Sequence, residues 1–358
     1  MKSKRPAVLV LYNIPRQADL PAGCAALSSA EAACLESDAG VLAEVEAVSA
    51  ALDRLGVRHR AAGIRVLGDL PSLLADSDEP IVFNLVEGLH RQPVNANYVP
   101  AMCEAFGKGC TGNDSASMML SLDKWQTKAA LQAAGLPTPA ATVVPVGGKL
   151  DLATLPEGAL IIKPAATDAS EGIDADSIVA QPGPGIKRIV RRIHEQFNQP
   201  ALVEQFVGRR ELNVSVLQRG DRVDVLPIAE IDFGAFDEGR PRIVGYTAKW
   251  LAESFEYNNT PRVIPAPLSA RVAQRVQTCA LGAWRALGCR DYARVDFRLD
   301  DQGQPSILEV NPNPDISPDA GFAAALAAAG LKYEQFVRIV IKNAGDRRTA
   351  DGKAGRKK

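Results

Sequence analysis

The sequence predicts an α/β protein, with α+β character in places, and two observations lead there. The first third alternates apolar β runs with helical stretches, and near the C-terminal end two β-rich runs flank the turn-like DQGQ. Alternating strands and helices imply a parallel sheet covered by helices, whereas strands joined by a short turn pair antiparallel. With 358 residues, 46% of them hydrophobic, the chain is long enough for two or three domains with cores of their own.

The elements follow in order. AVLVLYN (7–13) reads as a buried first strand; its basic leader resembles a signal peptide, but the apolar run stops at Asn13 and no small-residue cleavage pattern clearly follows. PRQADLPAGCAALSSAEAACL (15–35) is longer than a usual strand-to-helix connection and reads as a binding or flexible loop. SDAGVLAEVEAVSAALDRLG (37–56) predicts a helix with Ser37 or Asp38 as N-cap and Gly56 as its stop. PIVFNLVEG (80–88) is a second strand, and NYVPAMCEAFG (97–107) a helix despite Pro100. SLDKWQTKAALQAAGLPTP (121–139) is a helix with Ser121 as N-cap, Gly135 as stop and Pro137 beyond. ALIIKPA (159–165) is a strand followed by the small-residue loop TDASEGID, and ALVEQFV (201–207) is another strand. RRELNVSVLQRGDRVDVLPIAEI (209–231) reads as two strands around a turn at Arg219–Asp221. GFAAALAAAGLKYEQFVRIVIKN (321–343) closes the chain as one or two helices, and the polar, basic GDRRTADGKAGRKK (345–358) reads as a disordered tail.

Composition excludes several function classes. With 41 basic and 42 acidic residues the formal net charge is −1, so no global field argues for nucleic acid or an anionic membrane. No stretch approaches the length of a membrane span. The six cysteines (24, 34, 103, 110, 279 and 289) show no C-x-x-C spacing, and with three histidines they argue against a zinc site or a disulfide framework. Reduced thiols and a cytoplasmic location are the natural expectation. GKGCTG (107–112) has the spacing G-x-G-x-x-G, but it follows a helix where a dinucleotide fingerprint follows a strand. Neither G-x-x-x-x-G-K-[ST] nor G-x-S-x-G occurs.

The late pair of strands, ARVDFRLDDQGQPSILEVNPNP (293–314), carries two acids that can meet. A hairpin symmetric about Gln302 and Gly303 sets Asp300 opposite Pro305, Phe297 opposite Leu308 and Val295 opposite Val310. The same register sets Asp296 opposite Glu309 and Arg294 opposite Asn311. Alternation then makes Val295, Phe297, Leu308 and Val310 the apolar face. Like charges facing each other on a sheet are destabilising. The pair is either a solvated surface face or a divalent-metal site, with hard oxygen ligands on Asp296, Glu309 and Asn311 and with Arg294 beside them for an anion.

Isolated charges upstream add weaker signals. Lys163 emerges from an apolar strand, where it either meets an anion or reaches solvent. The adjacent Ser and Gly amides of TDASEGID can wrap a phosphate. Glu204 and Glu211 lie seven residues apart in VEQFVGRREL, and Lys249 sits in RIVGYTAKWLAE.

Taken together, DKWQTKAALQAAGLPTP, LIIKPA with DASEGI, LVEQFV with REL, GYTAKW, ARVDF and ILEVNPNP resemble the ATP-grasp superfamily, specifically its D-alanine–D-alanine ligase branch. The resemblance covers about residues 80–342 in order, with EVNPNP after RVDF its most specific piece. It implies an ATP-grasp fold behind an N-terminal Rossmann-like pre-ATP-grasp domain. The expected divisions are 1–120 for that domain, 121–207 and 208–344 for the central and C-terminal ATP-grasp subdomains, and 345–358 for the tail.

Position by position, the resemblance gives Lys124 and Lys163 the ATP phosphates and the adenine end. It puts the loop at Ser170 and Gly172 over the β- and γ-phosphates. Glu204, Phe206 and Val207 line the adenine pocket, with backbone of the last two reading the base; Glu211 takes the ribose hydroxyls and Lys249 the γ-phosphate. Asp296, Glu309 and Asn311 hold two Mg2+ ions, with Mn2+ able to substitute, and Arg294 stabilises the oxyanion. The implied reaction phosphorylates a carboxylate and lets an amine attack the acyl phosphate, so the partners are two small molecules. Homodimers are common among such relatives.

The substrate end departs from the family. The family's glutamate motif after the first strand is replaced by the long 15–38 segment, where Glu36 and Asp38 are stand-ins. Its His-Gly is Glu87-Gly88 here, its oxyanion-hole Gly is Asp315, and the Ser that binds the second substrate's carboxylate is Ala320; Ser317 is a further candidate between them. A carboxylate gained and a hydroxyl lost disfavour free D-alanine as acceptor and point to a cationic or neutral amine. The alternatives are an authentic D-alanine–D-alanine ligase and a nucleotide-binding sensor or scaffold without catalysis.

Overall fold

The computed structural model describes residues 7–15, 29–89, 92–167 and 170–354, with backbone alone for 29–39 and 351–354. Its strands form three sheets that follow one another along the chain. The first contains β1 (Val8–Asn13), β2 (His59–Ile64), β3 (Ile81–Leu85) and β4 (Gly109–Cys110), parallel throughout and ordered β2-β1-β3-β4. Every residue of β3 is buried, as a sheet covered on both faces requires. Alternate side chains of β1 serve two cores. Val8 and Val10 face the core that the C-terminal helix shares, and Leu9 and Leu11 face the helices at 70–75 and 99–105.

The second sheet, β5 (Ala141–Val144), β6 (Leu160–Pro164), β7 (Ile178–Val179) and β8 (Ala201–Gln205), is antiparallel in the order β5-β8-β6-β7. One face packs on the helix Gly185–Phe197, a helix that the sequence reading leaves unassigned. The third sheet contains β9 (Arg210–Arg219), β10 (Arg222–Val225), β11 (Ala229–Ile231), β12 (Arg262–Val263), β13 (Tyr292–Leu299) and β14 (Pro305–Asn311). It runs β12-β11-β9-β13-β14, with β10 paired to β9. Val214, Val295, Phe297, Ile307 and Val310 form its apolar face against the helix Ala270–Ala286. Burying each such side chain contributes about 1.5–3 kcal/mol.

Four expectations are corrected. The first helix runs Ser29–Arg54, so Ser37 and Asp38 lie inside it and not at its start; the Ala- and Glu-rich SAEAACLE extends it N-terminally. Gly56 does end it, at φ 61°. The predicted helix at 121–135 is two: Ser115–Leu122, then Lys124–Ala133. Its cap is Asp123, whose carboxylate accepts from the Trp125 and Gln126 amides, and Ser121 belongs to the helix before. The third correction is to the hairpin register. Arg294, Val295 and Asp296 face Asn311, Val310 and Glu309 as expected, but Phe297 faces Ile307 and Leu299 faces Pro305. A β-bulge inserts Leu308, which turns to the same side as Glu309 and leaves the apolar face to Ile307.

The fourth correction concerns the tail. The helix Tyr333–Ala354 continues ten residues into the segment expected to be disordered. Arg347 there makes a two-pronged ion pair with fully buried Asp291, at 2.7 and 2.8 Å, and Arg348 donates to the Gly107 carbonyl. Pro100 is accommodated because it falls in the first turn of Val99–Ala105, where no N–H is missed. No helix among the described residues is long and apolar enough to cross a membrane.

Candidate active site

A cavity lies between the second and third sheets. Ile161, Lys163 and Glu204 line it from the second sheet; Glu211, Asn213, Arg294, Asp296, Arg298, Leu308 and Glu309 line it from the third. Strand alternation explains the latter set, with the bulge adding Leu308 beside Glu309, since these residues point away from the apolar face of their own strands. Phe206 and Val207, on the link between β8 and β9, line the cavity too, as do Ser170 and Lys249.

One end of the cavity is built on a buried carboxylate. Glu204 receives Lys163 Nζ at 3.0 Å and Lys128 Nζ at 2.6 Å. Burial alone would raise the Glu204 pKa, but the two ammonium groups prevail and hold it below the usual carboxylate range. Lys128 also donates to Thr138 Oγ1 at 2.8 Å, and that hydroxyl donates to the Ile307 carbonyl beside the bulge at 2.8 Å. Lys128 therefore ties both sheets together, a role that the sequence reading missed. Its position four residues after Lys124 on one helix was the available signal.

The other end carries Glu309, Asp296 and their cations. Lys124 Nζ stands 3.8 Å from Glu309 and bonds the Thr167 carbonyl. Against the raising effect of burial, Lys124, Lys163, Lys249 and Arg294 hold Glu309 below its ordinary range. Arg294 grips Asp296 with two bonds of 2.8 Å, and Asn213 donates to the same carboxylate at 2.9 Å. Burial and the neighbouring Arg294 charge lower the Lys249 pKa.

The cover is made by two bonded segments. Ser170, at φ 61°, donates its hydroxyl to the Val244 carbonyl at 2.9 Å, and the Tyr246 amide donates to the Ile173 carbonyl at 2.9 Å. Gly172, at φ 75°, sits where a Cβ would press on Pro164 and Phe197 at under 3.0 Å, so it packs the loop base and does not line the cavity. Asp168 and Ala169 lie outside the described residues.

Other candidates named from the sequence also fall outside the cavity lining. Lys124 reaches it through Glu309, and the Asn311 amide oxygen accepts from the Asn313 N–H at 2.9 Å. Asp315 accepts from the Ser317 amide at 2.8 Å. Glu87 is exposed. Glu36 and Asp38 have side chains outside the described set. Among the described side chains of the first helix, the acid brought inward is Glu44, 3% exposed, which accepts from the Ile316 amide at 2.7 Å. A glutamate three residues from Val41 and four from Val48 lies on a core stripe, which was legible. Arg262 also enters the cavity, 3.4 Å from where a Cβ on Gly321 would stand, and Ala320 caps the helix Gly321–Ala328 without a side-chain bond.

Glu44 yields a pH prediction. Burial first, then the Glu87 and Asp315 carboxylates, push its pKa well above the ordinary value, with the Ile316 amide opposing them. The folded protein therefore keeps a proton that the unfolded chain releases. Stability is full below the ordinary carboxylate pKa and is lost as pH rises from there through the raised value. Glu44→Gln retains an oxygen for Ile316 and cannot ionise. Urea midpoints across pH 4–8 should fall less with pH in this variant; parallel curves would refute it.

Among the described residues, no three Asp, Glu, His or Cys side chains converge on one point. Asp296 and Glu309 sit directly opposite each other across β13 and β14, with Asn311 two residues on. Two carboxylates and an amide are hard oxygen donors of the kind that suit Mg2+, which is seldom held by an all-protein cage.

A two-strand ribbon carrying acids, an adjoining sheet carrying lysines and a cavity between them define an ATP-grasp architecture. Residues 154–342 match the family described as the D-ala D-ala ligase C-terminus. The uncharacterized protein y4sG of Sinorhizobium fredii is 32% identical over 276 residues, 77% of each chain. A D-alanine–D-alanine ligase of Sphingopyxis alaskensis is 30% identical over 300 residues, 83% of this chain and 90% of that one. The crystal structure of Bacillus anthracis D-alanine–D-alanine ligase complexed with ATP shares the fold, with a TM-score of 0.70 at 20% identity, covering 98% of this chain and all of that one. The chain belongs to the D-alanine–D-alanine ligase family of ATP-dependent, ADP-forming ligases.

Proposed function

We propose that the protein joins a small carboxylate to a small amine through an acyl phosphate, with an amine acceptor other than free D-alanine. What supports this most is the convergence of Lys124, Lys163, Lys249 and Arg294 on Glu309, at one end of a cavity whose other end is the Phe206–Val207 link. In this reading residues 1–120 are the Rossmann-like domain, and 121–207 and 208–344 the two ATP-grasp subdomains. A cytoplasmic location belongs to the same proposal, supported by free thiols at Cys103, Cys110, Cys279 and Cys289.

The residues divide the work as follows. The link at Phe206–Val207 receives the adenine and Glu211 the ribose. Lys124, Lys163 and Lys249 neutralise the phosphates, and the Ser170 loop closes over them. Asp296, Glu309 and Asn311 would hold Mg2+, which when bound neutralises charge on the transferring phosphoryl group. Attack of the substrate carboxylate on the γ-phosphorus releases ADP. The amine then attacks the acyl phosphate, and Arg294 faces the oxyanion of the tetrahedral intermediate, a donor commonly worth a few kcal/mol. Collapse expels phosphate and leaves the amide.

The acceptor reading rests on charge. Asp315 lies close enough to help raise the Glu44 pKa, and its own carboxylate attracts a cation. One observation favours the second reading, an authentic D-alanine–D-alanine ligase: Arg262, beside Gly321, offers a carboxylate a partner where the hydroxyl is lost. The test incubates the protein with ATP, Mg2+ and a panel of acid and amine pairs, following ADP, phosphate and product mass. Amide formation with a cationic or neutral amine is expected. Dipeptide from D-alanine alone decides for the second reading, and tight ATP binding without turnover on any pair decides for a sensor.

A further inference from the structure

The mechanism above leaves one buried charge without a task. Arg298 is third in the series Arg294, Asp296, Arg298 on the cavity face of β13, and it is only 3% exposed. Its guanidinium donates from Nε to the Val207 carbonyl at 2.7 Å and from Nη2 to the Gly208 carbonyl at 2.9 Å. Nη1 donates to the Arg242 carbonyl at 2.8 Å and to Glu211 Oε2 at 3.1 Å. The guanidinium carbon also lies 4.5 Å from the centre of the Phe206 ring. A guanidinium can satisfy several fixed acceptors at once because its donors are held in a rigid plane.

These acceptors surround the short passage between β8 and β9, where the chain crosses from the second sheet to the third. Gly208 presses against the end of β13: at φ 61°, a Cβ there would lie 1.8 Å from the Leu299 carbonyl oxygen. Upstream, the Phe206 amide donates to the Ala159 carbonyl at 2.8 Å. The peptide units 205–206, 207–208 and 208–209 are thus each held by a bond. The unit between them, with the Phe206 carbonyl and the Val207 N–H, has no partner among the described residues. Because a trans peptide points its carbonyl and N–H in opposite directions, only one of the two can face the cavity.

We infer that Arg298 is a positioning residue for base selection, fixing the passage so that the Val207 N–H meets the N1 acceptor of an adenine ring. A purine that carries hydrogen on N1, as hypoxanthine does, would oppose donor to donor and be rejected. Arg298 also holds one oxygen of Glu211, so the groups proposed for base and ribose share one anchor. The inference rests on the nucleotide reading of this cavity.

The test measures binding of ATP and ITP, each with Mg2+, by calorimetry to the full chain and to Arg298→Met and Arg298→Lys. The unchanged protein should prefer ATP by roughly tenfold or more, the scale on which an unpaired buried donor discriminates. Arg298→Met should lose about ten- to a hundredfold in ATP affinity with little change for ITP, so that the preference collapses towards one. Arg298→Lys should restore part of it, since an ammonium reaches some of the carbonyls without the planar fork. If the methionine variant folds and keeps the ATP/ITP ratio, Arg298 is a structural residue only and the inference fails; should that variant not fold, an unchanged ratio in the lysine variant has the same force. Absence of ATP binding by the unchanged protein overturns the nucleotide reading itself, and this inference with it.

Discussion

Glu309→Gln should reduce turnover at least about a hundredfold, the scale of losing a charge-stabilising group in a water-poor site, while leaving the fold intact. Four cations depress the Glu309 pKa, Lys124 foremost, and Lys124 has its ion pair with this carboxylate while Lys163 and Arg294 pair with Glu204 and Asp296. An amide of the same shape keeps the packing of β14 and removes the charge. Two further readouts separate this from general damage. ATP binding without metal should be retained or strengthened, because one carboxylate that competes with the triphosphate for these cations is gone. Added Mg2+ should no longer tighten that binding. A variant that turns over at the parental rate removes the metal assignment.

The second large effect is on stability and lies far from the cavity. Asp291 is fully buried and holds an unusual φ of 57°. Its carboxylate accepts from Arg347, from Asn343 at 3.1 Å and from the Gly112 amide at 2.8 Å. Removing one partner of a buried pair strands the other charge, so Arg347→Met should cost roughly 3–5 kcal/mol in urea unfolding. Combining it with Asp291→Asn should recover part of the loss, since asparagine tolerates the same backbone angle and carries no charge. Deleting residues 346–358 should cost about as much as Arg347→Met. A truncated protein as stable as the full chain would show that the helix extension contributes nothing.

That extension marks the limit of the sequence reading. GDRRTADGKAGRKK looks unstructured by composition, and nothing local announces that an arginine in it meets an aspartate 56 residues earlier. Tertiary partners override composition here. The hairpin is instructive in another way. Asp296 opposite Glu309 was legible, because polar and apolar residues alternate from Arg294 to Phe297. The bulge was also foreshadowed: Ile307, Leu308 and Val310 cannot all share one face at a period of two, so an extra residue must break the alternation. Ile186, Ile189, Val190 and Ile193 recur at helical spacing, so the overlooked helix was in plain view. Arg262 carried no such signal. It reaches the cavity from a two-residue edge strand, and only the pairing of β12 with β11 puts it there.

The way the apolar cores are shared bears on how the molecule comes apart. Val8, Val10 and Phe83 of the first sheet pack in one cluster with Leu217 and Tyr292 of the third and Leu226 just past β10, and Phe336 and Val340 of the last helix complete it. Among the described residues, the buried cluster under the second sheet draws only on those between Val144 and Val203. Amide hydrogen exchange should therefore find one cooperative unit built from both ends of the sequence and a separate one made of its middle, which can open on its own.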